Sequence, residues 1–224
     1  MIDWHEVDSV FLDLDGTLLD LRFDNYFWKE FVPIRYAAHH GLDPLEAREE
    51  LLTLMDSLRG TLDWYCTRFW SGRLDLDILA LKTELRDLIR VRPGAQEFLM
   101  ALGSSPHRVV LVTNAPTDTI ELKMAQTGIG ALFDRMISSH DLGFPKEHPD
   151  FWERLREIEP FSPERTLFID DNLSVLGAAK AHGIKHLLAV PNPDSTQDAM
   201  HTGEYRSLVQ FDALTDLLNG RASS

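Results

Sequence analysis

The chain has 224 residues, of which 44% are hydrophobic, and its 22 Lys and Arg against 36 Asp and Glu give a formal charge of −14. This length and apolar fraction can fill the core of one domain, or of one domain with an insertion, and argue against a disordered chain. The negative charge disfavours a nucleic-acid partner, the apolar runs are too short to cross a membrane, and the single cysteine and acidic start favour a cytoplasmic protein.

The first predicted strand, residues 9–14, ends in a pair of acids. Asp13 and Asp15 are two residues apart, so an extended chain places both on one side, and Gly16 allows a sharp turn after them. A single acid at a strand end is more often a helix cap or a turn residue. The pair therefore becomes informative only in combination with other polar residues at the same edge of a sheet.

Residues 20–89 show helical patterns and no strand pattern. The predicted helices cover residues 25–32, 43–59, 62–70 and 76–89. Asp43 is a good N-cap, because Pro44 follows it at the first helical position and Glu46 three residues after it. An insert of about 70 residues is too long for a simple crossover, so we predict a small helical cap over the edge of a sheet.

Ten of the 21 aromatic residues fall within the first part of this insert. Phe27, Phe31 and Ile34 have helical spacing, so we expect them to fill the core of the cap. One or two of the other rings could instead stack on a flat base, which would favour some phosphate esters over others. Cys66 is expected to be a small buried side chain inside a helix.

After the insert, the sequence alternates between strand and helix patterns. The predicted strands are 108–112, 136–139, 166–169 and 186–190, and the predicted helices are 95–102, 118–126 and 173–182. Such alternation predicts an α/β protein with a Rossmann-like parallel sheet and helices on both faces. The expected core is residues 1–19 and 90–224, with the cap at 20–89 and a C-terminal tail, 220–224, that frays.

Polar side chains follow three of these later strands. They are Thr113 and Asn114 after the second strong strand, Lys146 in the loop after strand 136–139, and Asp170 and Asp171 after the third strong strand. The carboxyl ends of parallel strands meet at one edge of the sheet, where open α/β sheets bind ligands. We therefore expect all of these side chains to surround one crevice together with Asp13 and Asp15.

Four acids in a partly dry crevice repel one another and need a cation to stay ionised together. Mg²⁺ is the natural choice, because it prefers carboxylate and carbonyl oxygen and usually keeps room for a substrate phosphate. The ammonium of Lys146, with the side chains of Thr113 and Asn114, would donate to phosphate oxygens. The combination predicts a phosphoryl site.

Asp13-Leu14-Asp15-Gly16-Thr17, Thr113-Asn114, Lys146 and Asp170-Asp171 resemble, in order and spacing, the four motifs of the haloacid dehalogenase superfamily. The resemblance spans nearly the whole chain. It implies a Mg²⁺-dependent phosphomonoester hydrolase in which Asp13 is the nucleophile that takes the phosphoryl group. It also implies that Asp15 protonates the leaving oxygen and then activates water.

The same resemblance assigns the remaining motif residues. Thr113, Asn114 and Lys146 would hold the phosphoryl group. Asp13, Asp171 and the main-chain oxygen of Asp15 would ligate Mg²⁺, with Asp170 either ligating the ion or orienting its ligands. One departure is Val175, since members of the superfamily with a single acid in the last motif often carry a second acid at that place.

The resemblance also narrows the reaction. Dehalogenating members lack an acid at the position of Asp15, so a phosphatase or a phosphomutase is implied. A cap placed early in the chain generally accompanies small soluble substrates. The protein is expected to be a monomer or a homodimer.

Three stretches, residues 19–28, 64–66 and 192–195, resemble the bacterial GMP/IMP nucleotidase branch of the superfamily. Its members remove the 5′-phosphate from 6-oxopurine mononucleotides, which implies GMP or IMP as the substrate. Arg22, Asn25 and Lys29 are then candidate donors to the purine O6 or N7. A sugar-phosphate phosphatase of the same superfamily remains the alternative.

Two non-enzymatic hypotheses use similar residues. A signalling receiver also collects acids, a Thr and a Lys on a parallel sheet, but receivers are compact, and their second acidic element precedes the Thr and Lys. Here Asp170 and Asp171 follow both. The other hypothesis is an inactive phosphate-binding interaction protein. Sustained multiple turnover would distinguish an enzyme from both.

Overall fold

A six-stranded parallel sheet forms the centre of the protein. The computed structural model describes residues 2–220. The strands are β1 (Ser9–Leu12), β2 (Arg108–Thr113), β3 (Arg135–Ser138), β4 (Thr166–Asp170), β5 (His186–Ala189) and β6 (Arg206–Ser207). Their order across the sheet is β3-β2-β1-β4-β5-β6, and every neighbouring pair is parallel. The predicted α/β class and its parallel sheet are confirmed. Met1 and residues 221–224, including most of the tail expected to fray, lie outside the described part.

The segment between β1 and β2 begins with helices and contains no strand between residues 22 and 88. Its helices are α1 (Arg22–Tyr26), α2 (Val32–His40), α3 (Pro44–Leu58), α4 (Leu62–Tyr65), α5 (Thr67–Leu74) and α6 (Ile78–Glu84), and a π-helical turn, Phe27–Phe31, joins α1 to α2. These helices enclose an apolar cluster of their own, centred on Phe27, Leu51, Trp70 and Ile78. We refer to residues 22–88 as the helical insert.

The remaining helices cover the two faces of the sheet. They are α7 (Ala95–Gly103), α8 (Thr117–Thr127), α9 (Ser139–Leu142), α10 (Pro149–Ile158), α11 (Leu173–Ala181) and α12 (Asp212–Leu218). Side chains of β1 alternate between the faces, with Val10 and Leu12 in one apolar cluster and Phe11 in the other. Burial on both faces explains why the central strands are apolar throughout. Within residues 2–220, no helix is long and apolar enough to cross a membrane.

The start of the insert differs from its sequence prediction at Ile34. Phe27 is fully buried, but the side chain of Ile34 is 57% exposed and does not join the core of the insert. Pro33 has no N–H for the carbonyl of Lys29, and that carbonyl accepts from Arg48 Nε at 3.1 Å instead. The resulting π-helical turn changes the number of residues per turn, so the spacing of Phe27 and Ile34 no longer puts them on one face.

The prediction of one helix over residues 62–70 is wrong, because the chain breaks at Cys66. Cys66 has an extended backbone, φ −76° and ψ 106°, and its Sγ accepts from the N–H of Phe69 at 3.4 Å. It is therefore the N-cap of α5, and it is partly exposed rather than buried in a helix. The predicted helix 76–89 is also shorter, ending as α6 at Glu84 before a single 3₁₀ turn, Arg86–Leu88.

Several other elements agree with the sequence patterns. Asp43 caps α3 by accepting from Leu45 N at 2.9 Å and Glu46 N at 3.2 Å, as predicted.

Strand β6 was not predicted, since two exposed residues give no apolar run, and α10 and α12 are also absent from the sequence prediction. Strand β1 ends at Leu12, yet Asp13 N still donates to the carbonyl of Ile169 at 3.0 Å. This contact fixes the backbone of Asp13 at the edge of the sheet.

Candidate active site

Three carboxylates meet at the carboxyl edge of the sheet. Oxygens of Asp13, Asp170 and Asp171 lie within 4.8 Å of one another. Gly16 makes this approach feasible, because its φ of +87° suits glycine, and a Cβ there would lie 2.6 Å from Asp171 Oδ2. A side chain at residue 16 would therefore collide with the carboxylate of Asp171.

Lys146 is the cation of this cluster, which we call the acidic centre. Its Nζ donates to Asp13 Oδ1 at 2.5 Å, to Asp170 Oδ2 at 2.7 Å and to the carbonyl of Val112 at 3.2 Å. The side chain is 2% exposed, so little water screens these interactions. Trp152 Nε1 donates to the carbonyl of Lys146 at 2.9 Å and holds the loop in place.

The carboxyl groups of the acidic centre resist ionisation. Burial raises the pKa of Asp13 to about 7, and the attraction of Lys146 only partly opposes this effect. Burial also raises the pKa of Asp170 and of Asp171, and repulsion from Asp170 and Asp13 raises the pKa of Asp171 further. Burial lowers the pKa of Lys146, but its two carboxylate partners outweigh burial and raise it above its ordinary value.

The acidic centre fits a divalent cation. Three carboxylates face one ammonium, so the centre carries excess negative charge when all of them are ionised. Their oxygens are close enough together to share one ion, and hard oxygen donors are what Mg²⁺ prefers. A bound Mg²⁺ would offset the repulsion that raises the pKa of these groups.

Asp15 does not join the acidic centre and pairs with a second buried lysine instead. Lys123 Nζ donates to Asp15 Oδ1 at 2.6 Å and to Asp24 Oδ2 at 2.7 Å. Lys82 Nζ, from the helical insert, lies 3.8 Å from Asp24 Oδ1 and donates to Thr119 Oγ1 at 3.4 Å. Burial raises the pKa of Asp15 to about 6, and Lys123 opposes that rise.

The lysines of this second cluster were not predicted from the sequence. Lys123 lies on the same side of α8 as the buried residues Thr119 and Ile120, and such a lysine on an inward face was the one available signal. Lys82 has a similar place on α6, among the buried residues Ile78 and Leu81. Their partners come from distant parts of the chain, so neither helix pattern reveals the pairing.

The candidate phosphate-holding residues also lie at this edge. Thr113 is buried, and its Oγ1 accepts from Ala115 N at 3.1 Å, which leaves its own proton available. Asn114 Oδ1 accepts from Lys146 N at 2.9 Å, and its Nδ2 donates to Glu147 Oε2 at 3.0 Å. The structure thus brings Thr113, Asn114 and Lys146 together at the end of β2.

Glu147 joins the sheet edge to the helical insert and was not singled out from the sequence. Its Oε1 accepts from Tyr65 OH at 2.9 Å and from Asn172 Nδ2 at 3.2 Å, in addition to the bond from Asn114. Tyr65 belongs to α4 of the insert, so this contact spans the two sides of the site. Its place beside Lys146 was the only sequence signal for Glu147.

One cavity of about 330 Å³ lies between the sheet edge and the helical insert. Its floor contains the acidic centre with Asp15, Thr113 and Asn114, and its opposite wall is the helical insert. The aromatic residues of that wall are Trp28, Trp64, Tyr65 and Trp70. A cavity of this size suits a small molecule.

The three candidate donors to a purine differ in position. Asn25 and Lys29 line the cavity, whereas the exposed Arg22 is not among its lining residues. Asn25 Nδ2 already donates to the buried Asp194 Oδ2 at 2.7 Å, so its amide has a structural partner. The structure therefore places Asn25 and Lys29 beside the cavity, and of these two Lys29 is the charged one.

Comparison with known proteins gives consistent matches. Residues 7–183 match the haloacid dehalogenase-like hydrolase family. The chain is 43% identical over 194 residues to the GMP/IMP nucleotidase YrfG of Escherichia coli (strain K12), covering 87% of each chain. It is 31% identical over 209 residues to the phosphoglycolate phosphatase of Nitrosospira multiformis, covering 83% of each. Its fold resembles that of a HAD phosphatase from Thermococcus onnurineus, with a TM-score of 0.78, 24% identity, and 97% and 100% coverage of the two chains.

Proposed function

The chain belongs to the haloacid dehalogenase-like hydrolase family and is a phosphatase, and from that premise we propose that it removes the 5′-phosphate from GMP and IMP with the help of Mg²⁺. The observation that carries this proposal is the single cavity that joins a lysine-bound carboxylate cluster to an aromatic wall. The 43% identity to a GMP/IMP nucleotidase supports the choice of nucleotide.

Asp13 is the proposed nucleophile. One of its oxygens accepts from Lys146, and that ammonium would also neutralise charge on an incoming phosphate. Attack by Asp13 on phosphorus forms an acyl phosphate while the bond from phosphorus to the O5′ of the nucleoside breaks. Asp15 delivers a proton to O5′, which leaves as a neutral hydroxyl.

Asp15 then serves as the base of the second step. Having lost its proton, it takes one from a water molecule, which attacks phosphorus and releases inorganic phosphate and free Asp13. A pKa of about 6 suits a group that must give and take a proton near neutral pH. Its hydrogen bond from Lys123 holds its carboxylate apart from the lysine that binds the nucleophile.

Phosphate oxygens would be held by Lys146, the free hydroxyl proton of Thr113 and the amide of Asn114. Asn114 Nδ2 donates one of its two N–H groups to Glu147, and the other would bind phosphate. The residues that would hold Mg²⁺ are Asp13, Asp171 and the main-chain oxygen of Asp15, with Asp170 nearby. The ion would neutralise phosphate charge and so favour attack by a carboxylate.

The helical insert, within the proposed cap at residues 20–89, is proposed to bind the nucleoside. Its aromatic wall offers planar rings for stacking, and its charged groups Lys29, Asp56 and Arg59 also line the cavity. A substrate enclosed between the insert and the sheet edge would be shielded from bulk water during phosphoryl transfer.

The test is release of inorganic phosphate from GMP, IMP, AMP, ribose 5-phosphate and phosphoglycolate, each with Mg²⁺ and with a chelator. We expect Mg²⁺-dependent turnover that is highest for GMP and IMP. Asp13→Asn is the matched control, because the amide is nearly isosteric but cannot act as the nucleophile, and we expect it to lower kcat by at least about 10³-fold.

Three results would contradict parts of the proposal. A clear preference for phosphoglycolate or ribose 5-phosphate would remove the nucleotide assignment and keep the phosphatase chemistry. Turnover that persists in chelator would remove the role of Mg²⁺. Substantial activity of a folded Asp13→Asn variant would remove Asp13 as the nucleophile.

A further inference from the structure

One face of α3 forms part of the cavity wall. Leu52, Met55 and Asp56 line the cavity, and their spacing of three and four residues places them on one side of the helix. Arg59, the C-cap of α3, lines the cavity as well. Leu52 and Met55 belong to the apolar cluster of the insert. From residue 52 to residue 59, this part of the cavity wall therefore changes from apolar side chains to two side chains of opposite charge.

Those two charges are held as a pair. Arg59 Nη2 donates to Asp56 Oδ1 at 2.7 Å, and the guanidinium carbon lies 5.4 Å from the ring centre of Trp64. Trp64 lines the same cavity, so the ion pair and the ring form one surface. Among the described residues, Arg59 is the only hydrogen-bond donor to the carboxylate of Asp56, which leaves Asp56 Oδ2 and further N–H groups of Arg59 for a ligand.

A further charged pair in the cavity lies close to the groups that would react with a phosphate ester. Asp24 and Lys82 also line the cavity, but Asp24 is bound to Lys123, which holds Asp15. These groups therefore lie where the leaving oxygen would be. Asp56 and Arg59, at the C-terminal end of α3, pair with each other next to the partly buried ring of Trp64, which suits the part of a substrate that is farthest from phosphate.

We infer that Asp56 and Arg59 recognise the six-membered edge of a 6-oxopurine base, with Asp56 accepting from N1–H and Arg59 donating to O6. This inference rests on the proposed nucleotidase function. A carboxylate beside a guanidinium offers an acceptor next to a donor, and a 6-oxopurine offers the complementary donor at N1 next to an acceptor at O6. The amino group of guanine adds a second donor that Asp56 can accept.

Adenine presents the reverse pattern at the same two positions. Its N1 is an acceptor and would face the carboxylate of Asp56, and its 6-amino group is a donor and would face the guanidinium of Arg59. Both contacts are repulsive, so the pair selects against AMP as well as for IMP and GMP. Stacking on Trp64 would serve any purine and does not distinguish between them.

The experiment compares kcat/KM for IMP, GMP, AMP and ribose 5-phosphate in the full-length wild type, Asp56→Asn and Arg59→Gln. We expect Asp56→Asn to lower the IMP-to-AMP ratio at least about tenfold, because the amide can donate to N1 of adenine. Arg59→Gln should lower the ratio in the same direction. Ribose 5-phosphate, which has no base, should be hydrolysed as well by both variants as by the wild type.

Glu30→Gln is the matched control. Glu30 Oε1 accepts from Arg48 Nη2 at 2.8 Å in another exposed ion pair of the insert, and neither residue lines the cavity. This variant should leave the IMP-to-AMP ratio unchanged. Thermal unfolding of all three variants should match the wild type, since each substitution lies on the surface.

The outcomes separate the inference from the proposed function. A wild type that prefers IMP and GMP over AMP, with unchanged ratios in Asp56→Asn and Arg59→Gln, would overturn the inference and leave the nucleotidase proposal intact. A wild type without that preference would overturn both. Equal losses on ribose 5-phosphate and on IMP would also overturn the inference, because they would show that the pair acts on something other than the base.

Discussion

Buried carboxyl groups in this protein have two contrasting environments. In the acidic centre, burial and mutual repulsion raise the pKa of Asp13, Asp170 and Asp171, with Lys146 as the shared cation. Glu159 is also buried, but two arginines bind it, and hydrogen bonding to Arg108 holds its pKa below the ordinary value of 4.5. In the acidic centre, therefore, Lys146 does not fully balance the charge of three carboxylates. The charge of Glu159 is balanced by two arginines and supports the fold.

The role of Glu159 predicts a pH dependence of stability. Arg108 Nε donates to Glu159 Oε1 at 2.8 Å, and Arg135 Nη1 donates to Oε2 at 3.2 Å, so the carboxylate ties β2 to β3. A group with a lowered pKa stabilises the fold above its unfolded pKa, and this contribution disappears as the pH falls through the folded pKa. We expect Glu159→Gln to lower the free energy of unfolding by about 1–2 kcal/mol at pH 7.

The measurement is urea unfolding of the wild type and Glu159→Gln between pH 7 and pH 3. The difference in unfolding free energy should be constant near neutrality and shrink below about pH 4.5. A difference that stays the same down to pH 3 would show that charge on Glu159 is not what stabilises the fold. Asp150→Asn, at an exposed side chain without an arginine partner among the described contacts, is a suitable control.

The elements of the fold were predictable to different degrees, for physical reasons. Strands β1, β2 and β4 are buried on both faces, so their composition alone reveals them. The break at Cys66 and the π-helical turn before Val32 involve local contacts of the Cys66 side chain and of the Lys29 carbonyl, which the hydrophobic pattern of the sequence does not reveal. Strand β6 depends entirely on its neighbour β5.

The same reasoning applies to the residues of the site. Asp13, Thr113, Lys146 and Asp170 were predicted to meet, because the ends of parallel strands converge at one edge. Lys123 was not predicted, since its partners Asp15 and Asp24 lie about 100 residues away and no local pattern encodes the contact. Contacts between the ends of neighbouring strands can thus be predicted from local sequence. Contacts that depend on how a helix packs against distant parts of the chain cannot.

The position of Cys66 gives a test at the scale of one helix. As the N-cap of α5, it offers only a weak sulfur acceptor to the N–H of Phe69. Serine is among the best N-cap residues, so Cys66→Ser should raise the free energy of unfolding by about 0.5 kcal/mol, whereas Cys66→Ala should lower it by about as much. Inside a buried helix the order would be reversed, because serine would then be the worse replacement.

Thermal unfolding of the two variants checks this prediction. A higher Tm for Cys66→Ser than for Cys66→Ala supports capping. If Cys66→Ala is the more stable of the two, the break between α4 and α5 is not stabilised by residue 66. Phosphate release should change little in either variant, since Cys66 does not line the cavity.

At the scale of the whole molecule, the contacts between the insert and the sheet side combine the buried Phe23 with several polar pairs. Tyr65 donates to Glu147, Thr67 Oγ1 lies 3.2 Å from Thr119 Oγ1, Lys82 donates to Thr119, and Lys123 donates to Asp24. Water can replace polar contacts more readily than apolar ones. Such polar pairs would exchange with water if the insert moves away from the sheet edge when substrate binds or product leaves.

Lys123 is the centre of that interface, and its removal provides the last prediction. Lys123 is 1% exposed and is the shared hydrogen-bond donor to Asp15 and Asp24, so Lys123→Met leaves two partly buried carboxylates without it. We expect the free energy of unfolding at pH 7 to fall by about 3–5 kcal/mol. We also expect kcat to fall more than KM rises, because Asp15 loses the contact that orients it.

A double-mutant cycle separates charge from packing. Asp24→Asn removes one of the two carboxylates, so in the Lys123→Met background it should restore part of the lost stability. In the wild-type background the same substitution should be destabilising, because it leaves Lys82 and Lys123 with less negative charge around them. Urea unfolding of the four proteins gives the coupling energy. Simple additivity would mean that Lys123 contributes by filling space, and that the insert is held to the sheet by shape rather than by this buried charge pair.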